Sequence, residues 1–157
     1  MRYWLFKSEP GSYSIDDLAR DRRTHWDGVR NYQARNFLRD DVQPGDLVLF
    51  YHSSANPPGV AGLARVVRSA YPDPSARDPE SRYFDPKATA ADPRWFMVDV
   101  EFVERFPRFV PLAELKAEPA LADMLVVRSS RPSVQPVSPE EFETILELAE
   151  STHQKSD

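Results

Sequence analysis

An alternating run of side chains at residues 94–104 constrains the fold more than any other feature of this sequence. One set of alternate positions holds Phe96, Val98, Val100 and Phe102, and the other holds Met97, Asp99, Glu101 and Val103. Successive side chains of a β-strand point to opposite faces of a sheet, so this period predicts a strand with one fully apolar face. Such a strand needs partner strands, which the rest of the chain must supply.

Other segments have the local signals of strands and helices. Further strands are predicted at residues 2–7, 47–52 and 59–68, each bounded by turn-forming residues. Helices are predicted at residues 15–20 after an N-cap at Ser14, at 31–40, and after a capping box at 138–141. Shorter helical turns are predicted at 112–115 and 119–125, and an extended polar segment at 128–136. Short strands with helices between them predict an α+β domain built around a curved sheet or barrel.

Length and composition fit one folded domain. The chain has 157 residues, 41% of them hydrophobic, and we expect a single domain at residues 1–150 with a flexible tail at 151–157. No apolar run approaches the ~20 residues of a membrane-spanning helix, and the first residues lack the pattern of a signal peptide. Cysteine is absent, which excludes disulfides and thiolate-ligated metals. We therefore expect a monomeric cytoplasmic protein without membrane attachment.

Basic residues are concentrated although the formal net charge is −5. Sixteen arginines stand against four lysines, and a short stretch contains Arg20, Arg22, Arg23, Arg30, Arg35 and Arg39. A locally basic face on an acidic protein can attract phosphates at short range. The same arginines could equally form a solvated helix face, so charge alone does not decide between the two interpretations.

Residues 70–93 are rich in proline and polar residues, with prolines at positions 72, 74, 79, 86 and 93. This composition predicts a long surface loop. Loops of such length are uncommon in compact domains unless they are mobile or functional.

The usual signatures of catalysis and metal binding are missing from the sequence. The three histidines are scattered, no nucleophile elbow or phosphate-binding glycine motif occurs, and no metal or cofactor is expected. Lys7-Ser8-Glu9 could supply a base and a nucleophile at a strand end. A strand terminus with a salt-bridged lysine is the favoured interpretation of these three residues.

Aromatic and amide side chains accumulate near the predicted element ends. The aromatic residues are Trp4, Trp26, Tyr32, Tyr51 and Trp95, and Asn31, Asn36, Ser53 and Ser54 are close to them in sequence. An unstacked nucleobase needs flat faces to stack on and fixed donors and acceptors at its edge. Aromatic residues are more often part of the core, which we favour for Trp4 and Trp95. For Trp26 the two interpretations are balanced, because its neighbours are polar.

Several longer strings resemble the EVE domain, a member of the PUA-like superfamily. The matching strings are residues 3–10 (YWLFKSEP), 13–18 (YSIDDL), 26–36 (WDGVRNYQARN), 45–53 (GDLVLFYHS), 59–62 (GVAG), Trp95 before a strand, and 128–131 (RSSR) before Ser133-Val134. They occur in the family's order and span nearly the whole chain. Pro132 departs from the pattern, which more often has a leucine-like residue there, and proline removes one backbone donor.

The resemblance implies a PUA-like fold, a curved β-barrel with peripheral helices, and a pocket that captures a flipped modified base. Its expected ligand is modified cytosine in DNA, with modified RNA bases as a second option. By position, the implied ligand-binding residues are Lys7, Ser8, Glu9, Trp26, Val29, Asn31, Tyr32, Tyr51, His52, Ser53 and Trp95. The residues expected to face the nucleic-acid backbone are Arg30, Arg35, Arg128 and Arg131.

Two other functions remain open at this point. Residues Lys7 and Glu9 occupy the place where a related branch, the ASCH-type amidohydrolases, has a lysine and a carboxylate for the hydrolysis of acylated cytidines. The chain could therefore be a small nucleoside hydrolase. A protein-interaction module that uses the proline-rich segment is less favoured, because it leaves the other motifs unexplained.

Overall fold

The structure, a computed structural model, describes residues 1–128 and 131–153, and within them six strands form one sheet. The strands are β1 (Tyr3–Ser8), β2 (Arg23–Trp26), β3 (Leu47–His52), β4 (Gly59–Pro72), β5 (Phe96–Pro111) and β6 (Val134–Val137). The helices are α1 (Ile15–Asp21), α2 (Tyr32–Asp40), α3 (Leu112–Ala117) and α4 (Pro139–Leu148), with short 3₁₀ helices at Pro74–Arg77 and Pro119–Leu121. None of the helices in this part of the chain is long and apolar enough to cross a membrane.

The sheet is mixed and open. Its strands lie in the order β2-β5-β4-β3-β1-β6, with β1 and β3 parallel and the other recorded pairs antiparallel. The α+β class is confirmed, but the predicted closure into a barrel is wrong. The strands β2 and β6 have four residues each and lie at opposite edges of the sheet, so they do not meet.

The strand predicted from the alternation is confirmed as β5 and is longer than the pattern indicated. Val98 and Val100 are fully buried, while Asp99 faces the other side of the sheet and pairs with His25 of β2. Several register shifts interrupt the ladder between β4 and β5. The shifts at Val60/Gly62 and Leu63/Ala64 place extra residues on β5, so a strict period of two does not extend to the end of this strand.

Strand β2 has no counterpart in the sequence predictions. Its sequence is Arg-Thr-His-Trp, and Trp26 is the one residue of the four that is buried. An edge strand that is exposed along most of its length carries no apolar alternation, so the period that reveals β5 is missing here.

Two hydrophobic clusters cover the two faces of the sheet. One contains Leu5 and Leu49 with Phe142 and Ile145 of α4. The other contains Trp4, Phe6 and Phe50 with Leu18 of α1 and Leu38 of α2. Because helices cover both faces, β1 and β3 are apolar at almost every position. The core placement favoured for Trp4 is confirmed.

The predicted helix starts are also confirmed. Ser14 and Ser138 each form a capping box with the residue three positions later. Asn31 caps α2, and its side-chain oxygen accepts a hydrogen bond from the backbone N–H of Ala34 at 2.9 Å. Each cap satisfies backbone donors that the first turn of a helix leaves unpaired.

Candidate functional site

A cavity of about 510 Å³ opens where β1 and β3 end, beside the edge strand β2. The parallel pairing of these strands brings Ser8 and His52 level, and the Ser53 N–H donates to the Ser8 carbonyl at 2.9 Å. The lining residues are Lys7, Ser8, Glu9, Ser12, Tyr13, Thr24, His25, Trp26, Asp27, Gly28, Val29, Ser53, Ser54, Arg82, Tyr83, Arg131 and Ser133. The lining thus combines aromatic rings, hydroxyls and charges of both signs.

Trp26 belongs to the core and to the cavity at once. Its ring lies 5.3 Å from the ring of Phe6 and 5.3 Å from the ring of Phe50, the latter edge-on. Only 7% of the residue is exposed, and what remains accessible contributes to the cavity lining. The core interpretation of Trp26 is thus confirmed, while its contact with a ligand stays a prediction. Packing on two sides fixes the indole, which gives the cavity a rigid aromatic surface.

A buried carboxylate holds the turn that follows Trp26. Asp73 accepts hydrogen bonds from the Gly28 N–H at 2.9 Å and from the guanidinium of Arg30 at 3.1 Å. Arg30 also donates to the carbonyls of Val29 and Tyr83 and to the hydroxyl of Ser75. Its guanidinium is thus occupied by protein groups, whereas the sequence placed it against a nucleic-acid backbone. Here Arg30 ties the turn to the segment after β4.

Tyr83, from the proline-rich segment, forms another part of the cavity wall. Its ring lies so close to Gly28 that a Cβ on this glycine would come within 2.6 Å of it. Sequence reasoning missed Tyr83. The unusual length of the segment at residues 70–93 was the one signal that pointed to it, because long loops in compact domains are often functional.

Replacing Gly28 with alanine is expected to lower the free energy of unfolding by about 1–2 kcal/mol, the cost of a left-handed backbone for an L-residue. Gly28 has φ +76°, and the new methyl group would also displace the Tyr83 ring from the cavity wall. Ligand binding should fall together with stability. Thermal unfolding and ligand titration measure the two effects.

Gly45→Ala is the matched control for this prediction. Gly45 has φ +94° but nothing lies within 4 Å of the position of its Cβ. The control should lose stability and keep binding. Equal binding by the two variants would contradict the role of the Gly28–Tyr83 contact.

Two charged groups at the cavity have shifted proton affinities. Burial lowers the pKa of the Lys7 ammonium. Partial burial, reinforced by the nearby Asp73 carboxylate, raises the pKa of the Asp27 carboxyl. Asp27 is a second lining residue that sequence reasoning passed over, since it was assigned only to a turn. Both groups offer hydrogen bonds to a polar ligand edge.

Seven of the sequence-predicted residues come together around the cavity. They are Lys7, Ser8, Glu9, Trp26, Val29, Ser53 and Arg131. The Ser8 hydroxyl donates to the Tyr13 carbonyl at 2.6 Å, so it holds the chain after β1 in place. Ser129 and Ser130, part of the family-like string, lie outside the described residues.

The remaining predicted residues lie outside the cavity lining. Asn31 caps α2, Tyr51 is buried in the cluster that contains α4, and His52 accepts a hydrogen bond from the Ile15 N–H at 3.1 Å. Arg128 is exposed away from the lining. Tyr32 and Trp95 stack on each other with ring centroids 4.8 Å apart, and the Arg35 guanidinium lies beside both rings. Trp95 is 5% exposed, as expected for a core residue.

Comparison with known proteins agrees with this architecture. The model of the EVE domain family matches residues 2–148. Human thymocyte nuclear protein 1 is 44% identical over 94% of this chain and 74% of its own length. The crystal structure of human THYN1 in complex with 5-methylcytosine-containing DNA has a TM-score of 0.91 at 41% identity, covering 98% of this chain and 100% of that one.

A more distant likeness concerns the fold alone. The YTH domain of Zygosaccharomyces rouxii MRB1, solved in complex with N6-methyladenosine RNA, has a TM-score of 0.56 at 17% identity and covers 98% of this chain and 89% of that one. The mixed sheet with its peripheral helices is thus shared with YTH domains. Because the family model and the human relative both span nearly the whole sequence, the chain belongs to the EVE domain family.

Proposed function

We propose that this chain is a reader module that takes one modified nucleobase of a nucleic acid into the cavity, with a modified cytosine in DNA as its ligand. The observation that carries the proposal is the cavity itself, about 510 Å³ in volume and lined by Trp26, Tyr83 and polar groups. Sites for small ligands fall in the range of about 300–1,000 Å³ and combine apolar walls with a few polar groups. A flat heterocycle with a polar edge matches that description.

The lining divides into groups for the face and groups for the edge of a base. Trp26 and Tyr83 offer aromatic surface, and stacking contributes about 1–3 kcal/mol per base. Val29, which is buried, offers apolar contact for a small alkyl or hydroxymethyl substituent. Asp27 and Ser53 supply acceptors and a hydroxyl donor for the exocyclic groups of the base.

The human relative supports both the partner and the ligand. Human THYN1 has been solved in complex with 5-methylcytosine-containing DNA, and its fold superimposes on nearly all of this chain. A base inside a duplex must leave the stack before it enters such a cavity, at a cost of a few kcal/mol. Arg82 and Arg131 both line the cavity, and we assign them to the phosphates beside the captured nucleotide, since arginines commonly hold the backbone in nucleic-acid complexes.

Titration with matched oligonucleotides tests the proposal. A single-stranded DNA with one central 5-methylcytosine should bind more tightly than the same strand with cytosine, and both affinities should fall with rising salt because phosphates are contacted. Equal affinity for the two strands would refute reading of this modification. The same pair of strands in RNA distinguishes a DNA reader from an RNA reader.

A second candidate function, hydrolysis of acylated cytidines, draws on one observation. Lys7 and Glu9 both line the cavity, and burial lowers the pKa of the Lys7 ammonium, which favours the neutral amine that a general base requires. Incubation with N4-acylated cytidines measures this activity directly. Turnover by the wild-type protein that disappears in Lys7→Ala would favour the hydrolase function. Absence of turnover with every acylated cytidine tested would refute it.

A further inference from the structure

A row of three aromatic side chains and one arginine leads from the cavity wall to the outer surface. The Arg30 guanidinium lies 5.5 Å from the ring centroid of Tyr83 and 5.3 Å from that of Trp95. Trp95 in turn stacks on Tyr32, at 4.8 Å and an interplanar angle of 27°. We call these four residues the arginine–aromatic row. One end of the row is in the cavity, and the other end is outside it.

The outer end of the row is an exposed ring held in a fixed position. Tyr32 is 48% exposed, whereas its neighbour Trp95 is 5% exposed. Trp95 stacks on one face of the Tyr32 ring, and the Arg94 guanidinium donates a hydrogen bond to the Tyr32 hydroxyl. Core packing does not explain a large ring that remains half in water. A ring already fixed in place loses little conformational entropy when a ligand stacks on it.

Positive charge surrounds this exposed ring. The Arg35 guanidinium lies 4.9 Å from the ring centroid of Tyr32, and the Arg94 guanidinium lies 5.8 Å from it. Arg94 also forms an ion pair with Asp85 at 3.2 Å. Among the described residues, the hydrogen bonds of Arg35 go only to neutral oxygens, those of the Asn36 side chain and the Arg94 carbonyl. The charge of Arg35 is therefore the one beside the ring that a phosphate would meet. Aromatic rings beside arginines are the arrangement that binds single-stranded nucleic acid, because each base has a flat face and each nucleotide a phosphate.

From this arrangement we propose that Tyr32 is a second stacking site, which holds a nucleotide near the captured base on the same strand, with Arg35 against its phosphate. The inference rests on the proposed function, since it assumes that the cavity takes one base of a nucleic acid. It changes the expected role of Tyr32, which the sequence placed inside the pocket. The outer site adds affinity for a strand and adds none for a free nucleoside.

The test compares a ligand that fills the cavity alone with one that can reach both sites. The two probes are 5-methyl-2′-deoxycytidine and a single-stranded heptanucleotide with 5-methylcytosine at its centre. Tyr32→Ala should weaken binding of the heptanucleotide on the order of tenfold, as expected for one lost stacking contact, and leave nucleoside binding unchanged. Tyr32→Trp, which keeps a flat ring, should retain heptanucleotide binding.

Phe84→Ala is the matched control, because Phe84 is a ring of similar exposure, 40%, that is not part of the arginine–aromatic row. It should change neither affinity. Heptanucleotide binding by Tyr32→Ala at the wild-type level would overturn the inference, and so would an equal loss for both probes, which would place Tyr32 in the cavity's own binding. Failure of the proposed function gives a different result, since the wild-type protein would then bind methylated and unmethylated heptanucleotides equally.

Discussion

Trp26→Ala is expected to lower the free energy of unfolding by about 3–5 kcal/mol, the usual cost of truncating a buried large aromatic residue. The indole packs against Phe6 and Phe50, so its removal leaves a void beside these two rings. The same change removes an aromatic surface of the cavity. Binding of the 5-methylcytosine heptanucleotide should therefore fall by at least about tenfold, the loss of one stacking contact. Denaturant unfolding and ligand titration measure the two effects.

Leu38→Ala separates the loss of binding from the loss of stability. Leu38 is fully buried in the same hydrophobic cluster but does not line the cavity. Its truncation should lower the free energy of unfolding by about 2–5 kcal/mol and leave the affinity of the folded protein for the heptanucleotide unchanged. Trp26→Phe should restore much of the stability. If Leu38→Ala and Trp26→Ala weakened binding equally under conditions where both are folded, Trp26 would have no specific role in binding.

Asp73→Ala is expected to lower the free energy of unfolding by about 3 kcal/mol, the lower end of the range for breaking a buried ion pair. The lower end applies because the Arg30 side chain keeps 22% of its surface exposed, whereas that of Asp73 has none. The substitution also leaves the Gly28 and Ser75 N–H groups without their acceptor. The turn after Trp26 and the segment that carries Tyr83 would lose their common anchor, so ligand affinity should fall as well. Thermal unfolding and titration of the folded variant check both effects.

The pH dependence of stability gives an independent check on Asp73. Burial alone raises the pKa of this carboxyl, but hydrogen bonds from Ser75, Gly28 and Arg30 outweigh burial and bring it below its ordinary value. A carboxyl with a depressed pKa stabilises the fold above its unfolded pKa of about 3.9, and the stabilisation is lost as pH falls towards the folded value. Asp73→Asn should therefore lose less stability than the wild-type protein as the pH falls below about 5.

Asp92→Ala controls for the general effect of removing a carboxylate from this segment. Asp92 is exposed, and no hydrogen bond to its carboxylate is recorded among the described residues. Its stability and binding should match those of the wild-type protein. A similar loss in the two alanine variants would show that net charge, and not the Asp73 anchor, controls the segment.

A polar network at the β2 edge of the sheet also arises from strand pairing. His25 lies opposite Asp99 across β2 and β5, and their side chains are 3.0 Å apart. The Tyr71 hydroxyl donates to the same carboxylate. Burial, with the hydrogen bond to Asp99 and its charge, raises the pKa of Tyr71 to about 12. The network explains why the alternation in β5 admits an acidic residue at a buried position.

Local signals in the sequence were enough to predict most of the elements. The period of two predicted β5, the serines at positions 14 and 138 predicted two helix starts, and the apolar run at 47–52 predicted β3. These signals succeed because strand alternation and helix capping depend on residues a few positions apart. The family resemblance, carried by strings that span the chain, predicted the EVE domain.

The membership of the cavity was decided by tertiary structure. Residues that follow Trp26 closely in sequence have different structural roles. Val29 lines the cavity, Asn31 caps helix α2, and Tyr32 stacks on Trp95 outside the cavity. Tyr83 comes from the distant proline-rich segment. It is held at the cavity wall by Arg30, which donates hydrogen bonds to the Tyr83 carbonyl and to the buried Asp73 carboxylate. A sequence pattern reports which face of an element is buried. It does not report which segments lie next to each other in the folded chain. That depends on how the strands pair across the sheet and on which buried charged residue holds each loop. Both are set by contacts between residues far apart in the chain.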